Sequence, residues 1–211
     1  SGKLDQYISA AETGVVTDTE SIYNPGRYWL PPYIKTTAPI GYYNLYKGMA
    51  KSDNVYFQEL GRRAGIDNIA KYGKALGLDG PTGIDLAYES KGERASEGLP
   101  TAEKRQMYQD LAAANSDASW DKKIANAEER REEELAAATT DEEKTKIERR
   151  YKNMIAVYES EKLINHNWLL EWHAADTFNV AIGQGRQNYT PIQLAVYAAA
   201  IANGGTVYQP Y

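Results

Sequence analysis

The chain contains no cysteine. Disulfides, thiolate catalysis and cysteine-ligated zinc are therefore excluded, and the lack of thiols fits either side of a membrane. It holds no apolar run near the roughly 20 residues of a membrane-spanning helix, and no secretory leader pattern is visible. Positive charge is not in excess, since 24 Lys and Arg stand against 29 Asp and Glu for a net charge of −5. Nucleic-acid binding, which draws on a basic face, gains no support from that balance. Phenylalanine is scarce, with 2 residues against 17 tyrosines. Aromatic packing must then rely on tyrosine, half-buried with a wet hydroxyl, as on groove walls and loop-rich surfaces.

Glycine and proline are missing from one stretch altogether. Residues 101–166 have neither, while the other 145 residues hold all 17 glycines and all 8 prolines. Charge divides the same way: 27 of the 66 residues in 101–166 are Asp, Glu, Lys or Arg, against 26 of the other 145. A breaker-free segment rich in Ala, Glu and Lys is helical by propensity. It reads as an insertion carried by a tighter, glycine-punctuated fold. Trp120, Ile124, Ala127, Leu135 and Ala138 follow helical spacing on a first arm, and Ile147, Tyr151, Met154, Ile155 and Tyr158 on a second. Thr140-Asp141-Glu142-Glu143 is a capping box that restarts a helix, so a helical hairpin turning near 138–140 is expected. Residues 101–114 read as a further, shorter helix. A solvated helical spacer is the plainest account of such a composition.

Outside the insertion, helices are expected at 3–12, 43–51, 55–63, 67–76 and 192–203. Asp67 is a candidate N-cap. Thr190-Pro191 opens the last helix, whose face Leu194, Tyr197, Ala198 and Ile201 should be core. Residues 15–42 read as loop, with Asn24-Pro25-Gly26 and Pro31-Pro32 as turn signals. Strand signals are few: 82–86, 178–182 and 206–208.

The chemistry centres on Ser52-Asp53-Asn54, between two helical stretches. A hydroxyl there can relay a proton, and a carboxamide can both donate to and accept from a substrate amide. A bland reading makes Ser52 the cap of the following helix, with Asp53 favourable near its positive end. Lys3 stands 49 residues upstream on a helix start. Gly183-x-Gly185 lacks the third glycine and the Lys-Ser/Thr of a phosphate loop. His166 and His173 fall seven apart with Glu171 nearby; this is ordinary helix spacing, and no metal is assigned. Trp168 and Trp172 should pack where the insertion rejoins the fold.

Tyr46-Lys47-Gly48-Met49-Ala50-Lys51-Ser52-Asp53-Asn54-Val55-Tyr56-Phe57 resembles the second motif of class B penicillin-binding proteins, the transpeptidases that cross-link bacterial cell wall. Thr82-Gly83-Ile84-Asp85-Leu86 and Asp176-Thr177-Phe178-Asn179-Val180-Ala181-Ile182-Gly183-Gln184-Gly185 resemble later segments of that family. The resemblance covers roughly 1–100 and 167–211, expected to be a partial transpeptidase domain interrupted by the insertion. It implies the α/β penicillin-binding/β-lactamase-like transpeptidase fold, of which this chain is the mainly helical portion plus a charged hairpin.

By the family's Ser-x-x-Lys register, Lys3 matches the lysine and the nucleophilic serine belongs one position before Ser1. Ser1 is two residues from Lys3, not three, and is not assigned the role. The third motif, Lys-Ser/Thr-Gly, is expected beyond Tyr211, so this fragment alone is expected to be inactive. The resemblance implies acyl transfer on D-Ala-D-Ala stem peptides, with Lys3 as base, Ser52 as proton shuttle and Asn54 orienting the substrate. It implies no cofactor. It further implies peptidoglycan stem peptides and β-lactams as ligands, cell-wall synthesis proteins as possible partners, and a place on the extracytoplasmic face of the bacterial membrane. Alternatives are a β-lactam sensor domain and a non-catalytic scaffold; a class A β-lactamase should show a Glu-x-x-Leu-Asn segment that this chain lacks.

Overall fold

The computed structural model describes residues 2–89, 98–185 and 187–211, residue 2 by its backbone alone. The chain divides into two compact units, one formed by Ser1–Arg105 with His173–Tyr211 and the other by Gln106–Trp172.

In the first unit, α3 (Asn54–Ala64) is the central element, packed against α1 (Gly2–Glu12), α4 (Ile66–Ala75) and α7 (Ala174–Ala181). Its sequence explains this place. Val55, Tyr56, Phe57 and Leu60 are all fully buried, and Gln58, Glu59, Gly61 and Ala64 are buried with them, so the helix is covered on nearly every side. Gly61 lets α7 approach closely: a Cβ there would fall 2.4 Å from the Ala181 Cβ. Tyr28, Val55 and Phe178 form one apolar cluster, with the Tyr28 and Phe178 rings edge-on at 4.9 Å. Ala70, Leu78, Leu99 and Tyr197 form another, which holds α8 (Pro191–Ala202).

Residues 15–42 are more ordered than their turn signals suggest. β1 (Ile22–Asn24) pairs antiparallel with β2 (Gly41–Tyr43), placing Ile22 opposite Tyr43 and Asn24 opposite Gly41. Ile22, Asn24 and Tyr43 are buried, while Tyr23 and Tyr42 stack outward with centroids 5.2 Å apart, as strand alternation requires. β2 leads through the N-cap Asn44 into α2 (Leu45–Lys51).

Other expectations need correction. Residues 82–86 and 206–208 form no strand, and 178–182 belongs to α7 and its C-cap. The carboxylate of Glu89 accepts from the Thr82 and Gly83 N–H groups at 2.6 and 2.9 Å, which folds 82–89 into a loop. Asp67 is not an N-cap: α4 is capped by Gly65, and Asp67 lies inside the first turn, paired with Arg105 at 2.6 Å. The capping box of α8 forms, with Thr190 accepting from Gln193 N–H. Its buried face is Gln193, Val196, Tyr197 and Ala200, whereas Leu194 and Ala198 are exposed.

The second unit is a helical hairpin. Residues 101–114 are not a separate helix, because α5 runs unbroken over Ala102–Ala137. No glycine or proline interrupts it, and Asn115-Ser116-Asp117 pass through it without ending it. After 138–140 the Thr140 capping box starts α6 (Asp141–Leu169). Ala127 and Tyr151 are buried in a thin seam, and Trp120 stacks near Tyr158 at 6.0 Å. Polar pairs do much of the joining: Tyr151 Oη donates to Glu134 at 2.7 Å, Arg150 also binds Glu134, and Lys162 meets Asp121 at 2.6 Å. Trp168 is 58% exposed. Among the described residues no helix is long and apolar enough to cross a membrane.

Candidate active site

Two helix ends and a turn build the site. α2 closes with Ser52 as its C-cap, in the left-handed region at φ 51° and ψ 42°. The Asp53 N–H then bonds the Gly48 carbonyl at 2.9 Å, reversing the chain as helix C-caps commonly do. Asp53 returns to extended backbone and caps α3, accepting from the Tyr56 N–H at 3.0 Å. The N-cap is therefore Asp53 and not Ser52, which leaves the serine hydroxyl free of capping duty.

Lys3 sits on the first turn of α1, which packs on α2 and α3. Its ammonium donates to Ser52 Oγ at 2.7 Å, Ser52 O at 2.7 Å and Asn54 Oδ1 at 2.9 Å. Three acceptors match the three N–H bonds of a protonated lysine. The Phe57 ring lies beneath it, 5.7 Å from Nζ to the centroid. Burial lowers the Lys3 pKa from the ordinary lysine value, and the charge of Asp53 acts against that fall. The structure thus brings together all three residues singled out in the sequence, across separations of 49 and 51 residues. Ser1 lies outside the described residues.

Sequence reasoning missed what stands behind the motif. Asp53 is fully buried, and its Oδ1 accepts from Asn24 Nδ2 at 2.7 Å and from Thr36 Oγ1 at 3.0 Å. Asn24 Oδ1 in turn holds the Gly26 N–H at 2.7 Å. The only sequence signal was the Asn-Pro-Gly turn, which marked a loop but not its target. Glu59 makes a second anchor farther along α3, six residues past Asp53. It accepts from Tyr28 Oη at 2.9 Å and from Arg62 Nε, Arg62 Nη2 and Arg63 Nε at 2.8 Å each.

The two histidines do not share a helix face. His166 lies on α6 with Nδ1 2.9 Å from Asp117 Oδ2, and His173 is the N-cap of α7. Among the described residues no group of three or more potential ligands could hold a metal ion. Gly183 and Gln184 close the end of α7, their N–H groups bonding the Val180 and Asn179 carbonyls at 2.9 Å, so they serve as a helix stop.

A family model described as the penicillin binding protein transpeptidase domain matches residues 6–211, a range that includes Ser52 and Asn54 and begins just after Lys3. The Peptidoglycan D,D-transpeptidase MrdA of Haemophilus influenzae is 23% identical over 209 residues, covering 97% of this chain and 22% of that protein. Its namesake in Escherichia coli K12 is also 23% identical over 209 residues, covering 97% of this chain and 23% of that protein. The chain thus spans less than a quarter of the length of these relatives. Among solved structures, PBP2 of Pseudomonas aeruginosa in complex with WCK 5153 superposes with a TM-score of 0.61 at 22% identity, covering 99% of this chain and 34% of that one. PBP2 of Helicobacter pylori in complex with MreC superposes with a TM-score of 0.60 at 21% identity, covering 99% of this chain and 27% of that one. These likenesses establish the fold as that of the PBP2 transpeptidase domain, of which the chain is a mainly helical portion.

Proposed function

The chain belongs to the penicillin-binding protein transpeptidase domain family, and from that membership we propose that the protein carrying it is a serine-type peptidoglycan D,D-transpeptidase of class B. The observation that carries this reading is the convergence of the Lys3 ammonium on Ser52 and Asn54 within 2.9 Å. A serine hydroxyl one helical turn before Lys3 would share its face of α1. Neutral Lys3 takes the proton from that hydroxyl as it attacks the penultimate D-Ala carbonyl. The burial that lowers the Lys3 pKa favours the neutral form. Ser52 Oγ, bonded to Lys3, passes the proton to the departing D-Ala amine. Asn54 offers its amide to the stem-peptide backbone. The acyl-enzyme is then resolved by an amine of a neighbouring stem. β-Lactams enter the same site as mimics of the D-Ala-D-Ala end and stop at the acyl stage.

This reading places the site on the extracytoplasmic face of the bacterial membrane, where cell wall is made. The Helicobacter pylori complex with MreC supports a cell-wall partner protein for the protein carrying this chain. The test is acylation of that protein by a fluorescent penicillin. Ser52→Ala should slow labelling by roughly 100-fold or more, the ordinary worth of a positioned proton-transfer group, and Asn54→Ala should slow it by up to about 100-fold through loss of substrate positioning. Labelling at the wild-type rate in both variants would remove the assignment.

A further inference from the structure

Asp53 lies between the two motif residues the proposed reaction uses, yet no step of that reaction calls for a carboxylate there. It is the only residue of the Ser52-Asp53-Asn54 triple with no exposed surface. Burying a carboxylate is costly unless donors and counter-charge surround it, and the donors identify its work. Asn24 comes from β1, Thr36 from the following loop, and the Tyr56 N–H from the first turn of α3. Thr36 Oγ1 also accepts from the Ala38 N–H at 3.2 Å, so the loop is folded around the same hydroxyl. One side chain therefore fastens three separate segments at the point where α2 hands over to α3.

We propose that Asp53 is the positioning residue of this site: its carboxylate locks the Ser52–Asn54 turn to β1 and the Thr36 loop, and sets a fixed negative charge behind the Lys3 ammonium. This inference rests on the roles given above to Lys3, Ser52 and Asn54. An asparagine at position 53 would still accept from Asn24 and Thr36 through its one carbonyl oxygen. It would lose the acceptor for the Tyr56 N–H, or turn a donor toward a donor. It would also lose the charge.

The charge reaches the chemistry through Lys3. Burial drives the Lys3 proton off, and Asp53 retains it. Several other ionisable groups on the elements around Lys3 are turned or bonded away from it. Asp5 of α1 lies toward Gly73 of α4, Glu59 of α3 is held by Arg62, Arg63 and Tyr28, and Asp176 of α7 accepts from the His173 N–H. On α2, the Lys47 Nζ donates to the Tyr42 carbonyl, and on α4 Asp67 is paired with Arg105 and Lys74 with Asp79. The Asp53 carboxylate is the charge that acts on Lys3. Removing it leaves burial unopposed, so Lys3 becomes neutral at lower pH while the turn that aims Ser52 and Asn54 loosens.

The test is the pH profile of acylation by a fluorescent penicillin, measured on the whole protein that carries this chain, for wild type, Asp53→Asn, Thr36→Val, Asn24→Ala and Ser52→Ala. Asp53→Asn should move the acidic limb to lower pH and lower the plateau rate roughly tenfold. Thr36→Val and Asn24→Ala keep the charge, so they should lower the plateau while the limb stays in place. A purely structural Asp53 would cost rate and melting temperature with no movement of the limb, and that result overturns the proposal. Should Asp53→Asn fail to fold, wild-type plateaus in both Thr36→Val and Asn24→Ala overturn it instead. Ser52→Ala separates the two levels. If it labels like wild type, the catalytic reading falls and this inference with it; if it is dead while Asp53→Asn matches wild type in limb and plateau, only the inference falls.

Discussion

Lys3 meets Ser52 twice, because its ammonium donates both to the hydroxyl and to the backbone carbonyl of the same residue, each at 2.7 Å. Both oxygens face one way because Ser52 holds a left-handed conformation at φ 51°, which costs an ordinary L-residue about 1–2 kcal/mol. Glycine would relieve that cost and keep the carbonyl contact, but it would delete the hydroxyl. Ser52→Gly should therefore melt no lower than wild type while penicillin acylation falls roughly 100-fold. Calorimetry beside a labelling time course checks this. A variant that melts several degrees lower would show that the left-handed turn carries no strain here.

Asp5 gives a pH signature of its own. It is 2% exposed with Oδ1 unpartnered, and burial raises its carboxyl to about 7 in the folded chain, against about 3.9 when unfolded. The folded state therefore prefers the protonated acid. Below about pH 4 both states are protonated and there is no penalty. As pH climbs from about 4 toward 7 the unfolded chain releases the proton first, and stability drains away over that window. Asp5→Asn removes the titration. Its melting temperature should match wild type near pH 4 and exceed it at pH 8, where the stability gained is on the order of a few kcal/mol. Parallel curves across the range would contradict the shift.

Glu59 should behave in the opposite sense. Burial would push its carboxyl up, but hydrogen bonds from Arg62, Arg63 and Tyr28 outweigh this and hold it below the ordinary glutamate value. Its contribution is present above the unfolded pKa and disappears as pH falls through the folded one. Glu59→Gln should cost on the order of 3 kcal/mol at pH 7, because it removes the buried negative charge that Arg62 and Arg63 share. The gap should narrow in melts taken below about pH 4. Arg63 also holds Glu20 at 2.6 Å and the Val15 carbonyl at 3.2 Å, so the variant should free residues 15–20 to proteases as well.

How much of this was readable in sequence depends on how far each contact reaches. The Ser52-Asp53-Asn54 triple and the Thr190 and Thr140 capping boxes are local signals, because a capping side chain bonds a group three residues away. Lys3 came from the order of motifs. Asn24 and Thr36 could not be placed, since they reach Asp53 across 29 and 17 residues through a loop whose path depends on packing. Helix faces fail where polarity gives no contrast. α8 is apolar nearly all round, and its Gln193 is buried because its amide bonds the Thr190 N–H at 2.8 Å and the Gly80 carbonyl at 2.7 Å. β1 and β2 are short and tyrosine-rich, so turn residues masked them.

α3 and α7 pack most tightly where Gly61 faces Ala181. Gly61 has no left-handed backbone to excuse it, since it sits inside a regular helix where glycine weakens the backbone by roughly 1 kcal/mol relative to alanine. Propensity alone would make Gly61→Ala stabilising. Packing reverses the sign: the added methyl would lie 2.4 Å from the Ala181 Cβ, itself a rigid atom on a packed helix. α7 must then move away from α3, and α3 carries Asn54 and Asp53 at its start. Overpacking of this kind costs about 1–3 kcal/mol, a fall of roughly 2–10 °C in melting temperature for a domain of this size. Gly61→Ala combined with Ala181→Gly should restore most of that loss, because the second change removes the atom the first one strikes. If Gly61→Ala alone raises the melting temperature, the two helices are not in the close contact described.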